Sequence, residues 1–304
     1  MTTISTSAFY ERSTRAIADL RAQAGALQTA IGTGNRLTRS SDDPVAAAQL
    51  RRMARAEAFA AVDKGAASRA STDLTLADNA LSEFAGQITR ARELAVQAAN
   101  GTLNSAQRGA IGTELREIGT ELLSLANARD SAGHALFGGN GPGSAYTVDA
   151  AGNPVYAGTA SAGELPLGDG LNVTRGVTGP EFLNFSASGG PTTLFAAIKG
   201  LADALQGAAA DPAQAARDAL GTLDAGLEAV TTTQTVVGTR LAWIDLVSER
   251  RTEAGELRAE QQAEVGGADL AETMTRLQQT MTVLEASQAS FARLSSLTLF
   301  DLLR

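Results

Sequence analysis

Apolar residues recur along this chain at alternating steps of three and four. In the last stretch the series runs Leu270, Met274, Leu277, Met281, Leu284, Gln288 and Phe291, the seam of an amphipathic coiled-coil helix. Near the other end Ile17, Leu20, Ala24, Leu27 and Ile31 repeat the spacing, and Tyr10 and Ser13 extend it backward. The two ends are expected to pair. The chain closes on Leu297, Thr298, Leu299, Phe300, Asp301, Leu302, Leu303 and Arg304, an apolar cluster that needs a cover. Gly25, Gly32 and Gly34 each cost the first helix roughly 1 kcal/mol against Ala, and isolated short helices are marginal in water. Both termini are therefore expected to be loose in the lone chain and to gain order in an assembly.

Between them, Asn35 to Asp43 is polar, and Asp43-Pro44 supplies an N-cap followed by proline at the first helical position. A helix beginning there carries Leu50 and Met53, then Leu74, Ala77, Leu81, Phe84, Ile88, Ala91, Ala95 and Ala98 in heptad register. Asn100-Gly101-Thr102 stops it. Ser105 is the expected cap of a second helix through Ile111, Leu115, Ile118, Leu122 and Leu125. Helix returns at Leu194, Ile198, Leu201 and Leu205, and Asp211-Pro212 repeats the cap-plus-proline start. From it runs the longest seam: Ala216, Leu220, Leu223, Leu227, Val230, Gln234, Val237, Leu241, Ile244 and Ser248. Continued to about Glu264, that helix would be on the order of 80 Å long. Gly266-Gly267 separates it from the terminal helix. Glycines at 86, 112, 119, 221, 226 and 238 lie inside these helices, where they either permit close approach or are tolerated on the surface.

Composition shifts after Phe137. Five of the seven prolines lie between Gly138 and Pro191, with short β-prone runs at Tyr146–Val148, Pro154–Tyr156, Leu171–Thr174 and Glu181–Phe185. Ala151-Gly152-Asn153 reads as a hairpin turn. The fold class is thus mainly α: an antiparallel coiled-coil helical rod from both terminal thirds, with a small β-rich domain inserted in the middle. The expected boundaries are 1–40 and 267–304 for the terminal helices, 41–139 and 192–266 for a coiled-coil core domain, and 140–191 for the β-rich domain.

The chemistry narrows the function by what it lacks. A single histidine, His134, excludes two-His metal motifs, and its expected place is a polar position near a helix end. Gly138 to Gly143 matches neither a phosphate loop nor a dinucleotide fingerprint, since Pro142 removes an amide that such a cradle needs; it reads as a linker. Asp42-Asp43 reads as helix capping rather than paired-carboxylate catalysis. No enzyme, cofactor or metal is expected. A net charge of -8 across 304 residues argues against a general nucleic-acid binder. No apolar run reaches the length of a bilayer span, and Met1 to Tyr10 lacks the features of a secretory signal. Cys is absent and, of 25 basic residues, only Lys64 and Lys199 are lysines; the sequence gives that bias no evident role.

Several blocks resemble the flagellin family. They are Ile4 to Ser13; Gly34-Asn35-Arg36-Leu37 with Ser41 to Ala46; Arg92 to Thr102; and Leu125 to Asp130 followed by Leu136-Phe137-Gly138-Gly139. Phe9-Tyr10 and Leu299-Phe300 resemble the hook-associated members, whereas Leu302-Leu303-Arg304 resembles filament flagellins. The resemblance implies a structural adaptor between the bacterial flagellar hook and the filament. Its partners would be identical subunits in a ring, another hook-associated protein on the hook side and flagellin on the filament side. A type III export chaperone would hold the C-terminal helix beforehand, and the exported protein would be extracellular, without a cleaved signal peptide. Assembly contacts are then expected at Phe9, Tyr10, Ile17, Leu20, Leu27, Ile31, Leu277, Leu284, Phe291, Leu299, Phe300 and Leu302. The alternative is a filament flagellin. A remoter one is a membrane-surface amphipathic protein using the helix that bears Arg12, Arg15 and Arg21.

Overall fold

The computed structural model describes residues 6–130, 132–168 and 170–296. Two compact units form: residues up to Phe59 together with those from Thr252, and Ala60–Arg251.

The first unit holds α1 (Thr6–Thr33), the start of α2 (Pro44–Ala98), the end of α6 (Pro212–Gly266) and α7 (Leu270–Ser296). Each helix stops or starts where side-chain chemistry satisfies its end. Gly34, at φ +69°, closes α1 by donating its N–H to Ala30 O at 2.9 Å, the left-handed step that glycine takes without strain. Asp43 caps α2 by accepting the Ala46 N–H at 3.0 Å, and Asp269 caps α7 by accepting that of Glu272 at 3.0 Å. Helices α1 and α7 pair antiparallel: Tyr10 meets Phe291 at one end, and Asn35 bridges Gly267 at the other.

The second unit is built on the remainder of α2 and α6 with α3 (Ser105–Ala126) and α5 (Leu194–Asp203). Leu74, Leu81, Phe84 and Ile88 of α2 are buried with Leu115 and Leu122 of α3, Ile198 of α5 and Leu223, Val230 and Val237 of α6, so the heptad positions do form the core. The cap of α3 is Asn104 rather than Ser105. Asn104 Oδ1 accepts the Gln107 N–H at 2.9 Å while Gln107 Oε1 accepts the Asn104 N–H at 3.0 Å, and that reciprocal pair satisfies two donors where Ser105 would satisfy one. Asp211 caps α6 through the Gln214 N–H at 3.0 Å. After α5 the chain makes one π-helical turn, Ala204–Ala208, in which Gly207 takes φ +106°.

The insertion is three two-stranded antiparallel hairpins: β1 (Tyr146–Val148) with β2 (Pro154–Tyr156), β3 (Glu164–Gly168) with β4 (Leu171–Thr174), and β5 (Asn184–Ala187) with β6 (Gly190–Thr193). β1, β2 and β4 fall on the expected runs. The run from Glu181 does not: Gly179–Leu183 is a short helix, α4, and only Asn184 and Phe185 enter a strand. Glu181 decides this, because its carboxylate accepts both the N–H and the hydroxyl of Thr178 at 2.8 Å and closes a helical turn on Pro180. Nor is Gly138 to Gly143 a mere linker. Thr159 donates its N–H to Gly138 O at 3.0 Å and accepts the Asn140 N–H on its hydroxyl at 2.8 Å, and Gly139, at φ +70°, lies too close to Thr159 for any side chain.

Hairpins this short do not stand alone. Phe137 and Phe182 meet Phe84 of α2 edge to face, with centroids 6.1 and 5.2 Å away and 5.0 Å from each other, so the insertion shares the helical core.

The helix glycines divide. A methyl group added at Gly112 would stand 2.9 Å from Ala202 O, and one at Gly226 would stand 3.0 Å from the Phe185 ring, whereas Gly86, Gly221 and Gly238 face open space. Gly238→Ala should therefore stabilise this unit by up to about 1 kcal/mol, while Gly112→Ala should lower its stability. Urea unfolding of the two variants checks the opposite signs.

Candidate assembly surface

The side chains singled out for assembly lie mostly on α1 and α7. On α1, Tyr10, Ser13, Ile17, Leu20, Leu27 and Ile31 are half-buried and Ala24 is buried, so the expected seam faces a partner. Phe9 belongs to α1, but its side chain, like all of Leu299, Phe300 and Leu302, lies outside the described residues. On α7 half of the expected seam turns inward. Leu277 and Phe291 are half-buried and Leu284 is 7% exposed. The intervening inward positions are Thr273 and Thr280 instead of Met274 and Met281, whereas Gln288 is half-buried together with its neighbour Ser287. Met274 is 59% exposed, Leu270 51% and Met281 37%.

Leu284 is the one large apolar side chain fully covered among the described residues of the pair. Full burial of a leucine contributes roughly 1.5–3 kcal/mol, whereas fixing the backbone costs about 1–2 kcal/mol for every residue ordered. The pairing is thin, and an apolar stripe beside it is bare. Val45, Phe59 and Leu257 in the same unit are exposed as well. The sequence carried a sign of the rotated seam: a narrow helix pair takes small residues, and Ala24 and Ala30 are the buried positions of α1.

The turns at the base of this pair are clasped. Arg36 donates its backbone N–H to Gly266 O at 2.8 Å, Ala268 returns one to Gly34 O at 2.9 Å, and the Arg36 guanidinium reaches Val265 O at 3.1 Å and the Asp43 carboxylate at 3.3 Å. Gly266 lies against Leu50, where a methyl would stand 3.0 Å from its side chain. Asp42 receives the Arg39 N–H at 2.9 Å and the Thr38 hydroxyl at 3.2 Å. The Ala46 N–H, then Arg36, holds the Asp43 carboxyl below its ordinary value of 3.8. Asp42 is lowered likewise, chiefly by the Arg39 N–H. Sequence reasoning identified this segment as a turn and a cap, and missed that its partner is the Gly266-Gly267 step.

His134 Nδ1 lies 3.3 Å from Asp130 Oδ2 on an exposed loop, and among the described residues no three His, Asp or Glu side chains converge as metal ligands. No described helix is long and apolar enough to cross a membrane.

The family model for the bacterial flagellin N-terminal helical region matches residues 4–141, the span that holds α1, the clasped turn, α2 and α3. Over that span the chain is similar to the flagellin family. Flagellar hook-associated protein 3 of Escherichia coli (strain K12) is 26% identical over 98% of both chains. Its namesake from Salmonella typhimurium is 31% identical over 60% of this chain and 56% of its own. The crystal structure of the flagellar junction protein from Legionella pneumophila has the same fold, with a TM-score of 0.60 at 15% identity, covering 72% of this chain and 99% of that one.

Because both carboxyls titrate lower in the folded chain than in the unfolded one, their contribution is fully present above the ordinary value and is lost as pH falls through the depressed one. Acidification below about 3.8 should therefore release the clasp. Amide exchange of residues 36–47 should rise there in the native protein. In Asp43→Asn, which keeps an N-cap acceptor but loses the charge, the Asp43 share of that rise should be absent.

Proposed function

We propose that this chain is a structural adaptor joining the bacterial flagellar hook to the filament, assembled through its terminal helices. The observation that carries the reading is the end-to-end match with a hook-associated protein 3, combined with a terminal helix whose apolar stripe at Leu270, Met274 and Met281 is bare in the single chain. A catalytic protein would not need such a stripe; a subunit that meets copies of itself would. Further copies of the chain in a ring would cover it, with another hook-associated protein on the hook side and flagellin on the filament side. Before assembly the same C-terminal helix would need a holder, so a type III export chaperone is the expected partner inside the cell. The mature location would be extracellular, reached without a cleaved signal peptide. Within this reading the termini, 1–40 and 267–304, line the inner tube and are ordered by assembly.

The test is complementation of a strain lacking the protein. Paired Met274→Asp and Met281→Asp substitutions, which place charge on exposed positions, should leave helix content unchanged by circular dichroism and abolish incorporation. A double variant that still builds working flagella would count against the stripe as an assembly surface. Fluorescent labelling of the native chain should give one spot at the distal end of the hook; continuous staining would favour the filament-subunit alternative.

A further inference from the structure

The turn between α2 and α3 carries Asn100-Gly101-Thr102, and its geometry is unlike that of the other Asn-Gly pair in the chain, Asn140-Gly141. Asn100 and Gly101 are exposed, Gly101 faces open space, with nothing within 4 Å of where a side chain would begin, and its N–H has no acceptor among the described residues. The Asn100 side-chain oxygen accepts two hydrogen bonds, from the Thr102 N–H at 3.1 Å and from the Thr102 hydroxyl at 3.0 Å. Nearby guanidiniums hold the end of α2: Arg108 donates to Asn100 O at 3.1 Å and Arg217 to Ala99 O at 3.1 Å. At Asn140 the arrangement differs. Its side-chain amide is packed against Gly163, where a methyl would stand 2.6 Å from Nδ2, and no described donor meets its Oδ1.

We propose that Asn100 is a site of spontaneous deamidation, promoted by the turn itself. The Gly101 amide nitrogen loses its proton to hydroxide and bonds to Asn100 Cγ. The negative charge that develops on Oδ1 lies against the two Thr102 donors, the arrangement that stabilises a tetrahedral oxyanion. The Cγ–Nδ2 bond then breaks, ammonia leaves with a proton from water, and a five-membered succinimide remains. Water opens that ring to aspartate or to isoaspartate, so the net change is one water consumed and one ammonia released. Glycine is required at the next position because any side chain would obstruct ring closure and restrict the backbone it needs. The product places a carboxylate beside Arg108 and Arg217, and the isoaspartate branch lengthens the backbone within the turn.

Ageing of the purified full-length chain in neutral and mildly alkaline buffer, followed by peptide mapping, tests this. The mass gain of an amide-to-acid change should appear at Asn100 about tenfold faster than at Asn140 and should accelerate with hydroxide. Thr102→Val, which removes one oxyanion donor, should slow it severalfold, whereas Thr102→Ser should restore the native rate. In denaturant the two Asn-Gly sites should convert at similar rates. Equal rates in the folded chain, an unchanged rate in Thr102→Val, or a difference that survives denaturation would each overturn the proposal. Circular dichroism of the two Thr102 variants separates slowed chemistry from a misfolded turn.

Discussion

An amphipathic helix must cover its apolar face, and the terminal helix of this chain has a face wider than one partner can cover. Leu277, Leu284 and Phe291 recur every seven residues and form a central line. Thr273, Thr280 and Ser287 flank it on one side, and Met274 and Met281 on the other, with Leu270 at the exposed start of the line. α1 covers the line and the first flank and leaves the second exposed. A strict heptad seam serves one partner helix, whereas a broader arc serves several. The small residues face the partner already present, and the large flexible ones, including two methionines suited to adaptable contacts, face outward.

The same broadening is satisfied internally in Ala60–Arg251. On α6 the strict seam names Leu227, Gln234 and Ser248, yet the buried neighbours are Gly226, Thr233 and Val247. More than one element meets that face. Phe185 and Leu194 crowd Gly226, the Arg92–Asp224 pair ties α6 to α2 at 2.6 Å, and Arg240 donates to Gly176 O at 2.6 Å. Five of the ten seam positions on α6 therefore hold, and three move by one residue toward the additional neighbours, while Leu220 and Leu241 stay half-buried. Glycine at 226 is what lets an aromatic ring approach the helix backbone.

Legibility followed the range of the interaction. Asp43-Pro44 and Asp211-Pro212 fixed two helix starts because capping is decided within three residues. The turn at Ala151–Asn153 and the strands around it were readable for the same reason: Gly152 takes φ +80° and Asp149 accepts the Ala151 and Asn153 N–H groups. The Glu181 run failed although its signal was also local, since Thr178 and Glu181 form a capping pair that β-prone Phe182 and Leu183 obscured. What could not be read locally was partnership. Arg36 with Gly266, and Phe84 with Phe137 and Phe182, join residues far apart in the chain, and spacing alone does not reveal which turn or ring lies opposite. The bare stripe of α7 was legible as an apolar face needing a cover, but not which of its flanks α1 would leave uncovered.

The arginine bias acquires a physical account at this level. Arg36 reaches Val265 O, Arg108 reaches Ala98 O and Asn100 O, Arg129 reaches Gly133 O, Arg217 reaches Ala99 O and Arg240 reaches Gly176 O. Each guanidinium hydrogen-bonds a backbone carbonyl at a helix end or in a loop, and several bridge two segments. Helix C-termini leave carbonyls without partners and carry partial negative charge, so a cation that also donates hydrogen bonds satisfies both demands. Lysine offers the charge on a single pivoting nitrogen, whereas the planar fork of arginine can meet two acceptors from one fixed position, as Arg108 does at the end of α2. In a chain with few aromatics and no disulfides, these forks carry much of the specificity by which long helices stop at defined residues and turn back on their neighbours.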